Sequence, residues 1–121
     1  MIKAYKLYTG KEGHSHVQEG YVDTSFLTAV KSLHFKETAP QAVYDWHQAP
    51  TTQYVLTLKG TLEFTTSLGE TFTVREGDVL IATDVTGKGH RWKLLGDDPW
   101  HRAYIIFERN EALNFHPKEN E

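Results

Sequence analysis

Seven histidines and no cysteine stand in a chain of 121 residues. Imidazole changes charge near neutral pH and is the commonest nitrogen ligand for transition metals, so this surplus points to metal or proton chemistry. Two local patterns bring it beside other groups. His14-Ser15-His16 is an H-x-H pair, which on a strand projects both rings from one face and can chelate. Asp45 stands two residues from His47, and Asp84 lies in the loop before His90. Either carboxylate could orient a ring for acid–base work, although both aspartates also suit ordinary turn roles. Without cysteine there are no thiolate nucleophiles, disulfides, zinc fingers or iron–sulfur clusters, and any metal must be held by nitrogen and oxygen. No G-x-S-x-G, P-loop or dinucleotide fingerprint is present. Gly87-Lys88-Gly89 is too short to cradle a phosphate and reads as backbone freedom that lets the chain enter a strand at His90.

Composition narrows the partners. Lys plus Arg is 13 and Asp plus Glu is 16, so 13 − 16 gives a net charge of −3. That balance offers no basic grip for nucleic acid and no charge block for an anionic membrane. The opening MIKAYKLYTG is not a secretory signal, and no stretch approaches the roughly 20 apolar residues of a membrane span. A single domain in the cytoplasm is the expectation.

The elements that must position these groups are strands, because the apolar period is two. Strand patterns run over 2–7, 26–36, 43–47, 53–59, 61–66, 71–75, 79–82, 90–95 and 102–107, with turn residues between them. The His14/His16 segment reads as loop and a candidate lid, and 108–121 as a loose or weakly helical tail. About nine short strands without a confident helix argue for an antiparallel barrel or sandwich.

Two motifs separate these architectures. His47-Gln-Ala-Pro-Thr-Thr-Gln53, followed by Gly60, resembles the first motif of the cupin superfamily, with Ala49 at its second His and Gln53 at its Glu. Gly77-Asp78-Val79-Leu80 and Gly87-Lys88-Gly89-His90 resemble the second, with two extra residues before the His. More narrowly, the chain is similar to small single-domain bacterial cupins. The resemblance implies an all-β jelly roll, a double-stranded β-helix of two antiparallel sheets, with its core at about 25–107 inside one domain of 1–121.

On that frame His47, Gln53 and His90 converge in one cavity as the metal-ligand set, and His34 joins them if its strand face lines the interior. Fe, Mn, Ni or Zn would suit imidazole, but one imidazole and the anionic ligand of the motif are gone, which favours a metal-free barrel. Trp46, Val55, Thr57 and Trp92 are the expected ligand-pocket residues, since Gln53, Val55 and Thr57 share one strand parity. Tyr54, Leu56 and Leu58 then face outward and need cover, which with the resemblance implies a homodimer. The expected function is binding of a small molecule in the barrel. The alternatives are a metal-dependent oxygenase or isomerase, and metal-free, epimerase-like catalysis with a His base. His101 and His116 are expected at the surface.

Overall fold

The structure is a computed structural model that describes residues 1–119. Eleven strands and no helix form among these residues. They are β1 (Ile2–Thr9), β2 (Ser15–Val22), β3 (Val30–Thr38), β4 (Val43–His47), β5 (Gln53–Lys59) and β6 (Thr61–Thr66). There follow β7 (Thr71–Val74), β8 (Val79–Ala82), β9 (His90–Leu95), β10 (Trp100–Phe107) and β11 (His116–Pro117). One sheet has seven strands in the order β11-β2-β1-β8-β5-β10-β3, and the other has four in the order β4-β9-β6-β7. Every pairing is antiparallel except β1 with β8, which is parallel. No helix among the described residues is long and apolar enough to cross a membrane.

Alternation along each strand decides what lies between the sheets. Leu62 and Phe64 of β6, Val74 of β7, Trp92 and Leu94 of β9, and Trp100 of β10 point inward. With Tyr5, Leu7, Val55 and Leu80, which like Trp100 belong to the larger sheet, they make one buried cluster. The neighbours of opposite parity, Ala4, Tyr54, Val79 and Ile81, form a second cluster on the outer face. A strand apolar on both faces must be covered on both. Here the outer cover is the chain's own C-terminal segment, whose Leu113 and Phe115 pack there with Phe107. The Asn114 amide N–H donates to the Tyr54 hydroxyl oxygen at 2.8 Å.

Three expectations are corrected at this level. The segment after His14 is strand β2, not loop. Its polar SHVQEGYV hides the pattern, and Gly20 stands where a Cβ would come within 2.0 Å of the His116 carbonyl oxygen. The tail is neither loose nor helical: it runs across the outer face and adds β11 to β2. It also supplies the cover expected from a subunit for Tyr54 and Leu56, while Leu58 stays exposed. The 26–36 strand begins only at Val30, because 26–29 has no ladder partner and Leu27 lies in solvent.

β3 and β4 are the outer strands of their sheets on the same side of the barrel, and they are not hydrogen-bonded to each other. Almost every residue in them is exposed.

Candidate functional site

A cavity of about 400 Å³ opens between the two sheets on the β3–β4 side. His34, His47, Gln53 and His90 all line it. His47 reaches it through an irregularity. Tyr44 is paired with Trp92, but His47 is paired with His90, so three steps on β4 match two on β9. This bulge puts Tyr44 and His47 on the same inner face, with ring centroids 4.0 Å apart. Strict alternation would have turned Trp46 inward instead. Trp46 is therefore outside: it is 46% exposed and lies under the Arg91 guanidinium, 4.7 Å from the ring centroid. Its expected place in the pocket is corrected.

The approach of β9 is equally local. Gly89 has φ +76°, and a Cβ there would fall 2.1 Å from the His47 carbonyl oxygen. Only glycine lets the two strands close at this point, and His90 follows directly. The His47 and His90 rings meet edge to face at 4.5 Å.

Each imidazole is held by its Nδ1. His47 Nδ1 donates to the Asp45 carbonyl oxygen at 2.8 Å, and His90 Nδ1 donates to Asp84 Oδ2 at 2.5 Å. The same carboxylate oxygen accepts from Ser15 Oγ at 2.6 Å. Ser15, Asp84 and His90 are all buried, and Asp84 Oδ1 has no hydrogen-bond partner. The bonds at Nδ1 leave Nε2 of both rings as the lone-pair nitrogen, able to accept a proton or bind a cation. Burial pushes the His47 pKa below its ordinary value, and nearby His90 adds to this. The Asp45 carbonyl and Asp84 pull the other way.

The opposite wall comes from β10 and β3. Trp100, Arg102 and Tyr104 share the inward parity of β10 and pair with Thr38, Lys36 and His34. His34 faces the cavity mouth and stacks on Tyr104 with centroids 5.0 Å apart. Val55 and Trp92 line the cavity as expected. Thr57 does not line it: the Trp100 indole covers it and donates Nε1–H to Thr57 Oγ1 at 3.2 Å.

The remaining histidines lie away from this cavity. His14 Nδ1 bonds Ser67 Oγ at 3.1 Å, while His16 pairs with Glu12 and stacks on Tyr8. Neither forms a lid. His101 pairs with Glu37 and His116 stacks on Tyr21, both at the surface.

Sequence reasoning passed over Arg102, Tyr104, Trp100 and Ser15. The first three were findable, because W-x-R-x-Y sets polar groups on one parity of a strand whose other parity is Ala103, Ile105 and Phe107. Ser15 carried no such signal.

As a metal donor set, the cavity offers His47, His90 and the neutral amide of Gln53 on one wall, with the His34 imidazole on the other, stacked on Tyr104. Among the described residues, no group of three or more His, Asp or Glu side chains is placed to hold a metal ion. The nearest carboxylate, Asp84, sits behind His90 rather than beside it, and Lys36 and Arg102 bring positive charge to the same cavity. These residues fit a divalent cation poorly.

No protein-family model matches the chain, and no curated protein matches it in sequence. Solved structures do. The polyketide cyclase RemF from Streptomyces resistomycificus is similar with a TM-score of 0.50 and 16% identity, covering 93% of this chain and 78% of that one. The cupin domain of Schizosaccharomyces pombe Cnp3 has a TM-score of 0.49 and 19% identity, covering 75% and 70%. A conserved Klebsiella pneumoniae protein with a double-stranded β-helix domain has 0.49 and 17%, covering 78% and 84%. At these identities the likeness is one of fold.

Proposed function

We propose that this chain, whose fold is the cupin double-stranded β-helix, binds a small organic molecule inside its barrel. The observation that supports this most is the cavity itself. About 400 Å³ is the size of a small-molecule site, and its walls join aromatic surface to a few convergent polar groups.

A second reading, metal-free acid–base catalysis, is favoured by the His90–Asp84 hydrogen bond. Nε2 of His90 would take a proton from the bound molecule, and the carboxylate behind the ring would stabilise the imidazolium so formed. A divalent Fe, Mn, Ni or Zn held by His47, Gln53 and His90 is the weaker alternative, for the reasons of charge and donor type given above.

The proposal extends to a homodimer in the cytoplasm. Leu33, Phe35 and Leu58, exposed on the larger sheet, are the apolar surface a second copy would cover.

The test is protein purified without a histidine tag, subjected to elemental analysis and then to thermal-shift screening against small organic molecules. The expected result is metal-free protein, and a stabilising compound whose effect is lost in Val55→Trp, which fills the cavity. Near-stoichiometric transition metal that disappears in His47→Ala and His90→Ala would overturn the metal-free reading. No stabilisation by any compound would overturn the binding reading.

A further inference from the structure

Arg102 is 2% exposed, yet no carboxylate among the described residues lies within ion-pair distance of it. A buried charge without a counter-charge is costly, and proteins normally pair it. The surroundings of this guanidinium hold it still rather than neutralise it. Nε donates to the Tyr104 hydroxyl oxygen at 2.7 Å, and Nη1 donates to Thr38 Oγ1 at 2.8 Å and to the Trp100 carbonyl oxygen at 3.4 Å. The guanidinium carbon lies over the Trp100 ring, 3.7 Å from its centroid. Nη2 has no acceptor from any described residue.

The rest of the cavity has the same sign. Lys36 is the cross-strand partner of Arg102 and lines the same space, while neither Asp nor Glu lines it. Asp84, the nearest carboxylate to the histidines, has its Oδ2 committed to Ser15 and His90. Val55, Phe64, Leu80 and Trp92 supply an apolar floor. A site with one fixed, unpaired guanidinium above such a floor is complementary to one negative charge on an apolar body. Of the five N–H donors of Arg102, those on Nε and Nη1 are taken by protein acceptors, so the two on Nη2 remain to bind a carboxylate.

We propose that the ligand of this cavity is a small organic carboxylate, its carboxyl group bound by Arg102 and its apolar part against Trp92 and Phe64. This rests on the barrel being a ligand site, and it assigns the chemical class. The carboxyl group would supply the counter-charge that the fold omits. In that pose the His47 and His90 rings border the far side of the molecule, so binding and proton transfer fall to different walls.

The experiment is calorimetric titration of the wild-type chain with benzoate, benzamide and phenyl phosphate, repeated with Arg102→Lys and Arg102→Gln. The expected result is benzoate binding at least about tenfold tighter than neutral benzamide, a step worth one decade of affinity. That preference should fall in Arg102→Lys and vanish in Arg102→Gln. Equal affinity for benzoate and benzamide in the wild type would overturn the carboxylate assignment while leaving the barrel a ligand site. Tighter binding of phenyl phosphate than of benzoate would overturn it in favour of a phosphate ester. Binding of none of the three would overturn it as well, and a simultaneous failure of the broader compound screen would take the binding reading with it. The wild-type comparison stands even if the Arg102 variants do not fold.

Discussion

The two sides on which the sheets approach each other differ in almost every respect. Where β1 and β2 meet β6 and β7, the barrel is sealed. Tyr5 and Phe72 lie 4.9 Å apart, the Ser15 amide donates to Ser67 Oγ and the Val17 amide to Glu70 Oε1, and Leu7, Leu62 and Val74 are shut from solvent. Where β3 faces β4, there is no ladder, and Phe35 and Val43 are 70% and 74% exposed. Stability and access have been assigned to opposite sides. Side chains on the sealed side hold the sheets at a fixed separation, and the open side leaves the cavity a mouth. A barrel sealed on both would have a core without a site.

The sharpest way to break this contrast is to hollow the buried interior between the sheets. Phe64→Ala removes a side chain that is 1% exposed and touches Phe72, Trp100 and His90. A loss of about 3–5 kcal/mol is expected, measured by denaturant unfolding. Asp84→Asn should cost about 2 kcal/mol, since it disturbs two buried hydrogen bonds to one oxygen. Nitrogen NMR of the imidazoles should then show His90 losing its single tautomer, whereas a Ser15→Ala control should keep it.

A smaller effect is expected from pH. The His47 pKa is lowered in the folded chain from 6.5, so the unfolded chain binds the proton more readily. The contribution is intact above pH 6.5, declines as pH falls from there to the folded value, and is then fully lost. His47→Gln should flatten that part of the stability curve. The least change is expected on the open side. Phe35→Asp should alter unfolding stability by no more than about 0.5 kcal/mol in the monomer. In the proposed homodimer it should shift sedimentation from dimer to monomer. A large stability loss in a monomeric protein would mean that the open side is structural after all.

How far the sequence could be read follows the same division. Strands β4 to β10 were legible because alternation and turn residues mark them, and the resemblance of two motifs to those of cupins is what implied a shared cavity for His47, Gln53 and His90. Strand β2 was not legible, since a polar strand carries no period and its Gly20 reads as a loop residue until its neighbour is known. The bulge in β4 was hidden too. One extra residue between Tyr44 and His47 exchanges Trp46 for His47 at the cavity wall, and nothing in Tyr-Asp-Trp-His announces it. Asp84 was recognised as a carboxylate near His90, but whether it served the turn or the ring depended on burial. Arg102 stood in plain view on an inward parity. Its meaning came only with the finding that no described carboxylate answers it.

The parallel pairing of β1 with β8 has a consequence for the order in which the protein can assemble. Ala4 to Leu7 lie against Val79 to Ala82, with β2 along the other edge, and β2 is itself completed by His116 and Pro117. During synthesis the β1–β2 hairpin is therefore made long before the strands on either side of it exist. Such a topology closes its longest loops last and folds slowly for its size. Until β8 is made, Tyr5 and Leu7 are apolar side chains without a complete sheet to enter.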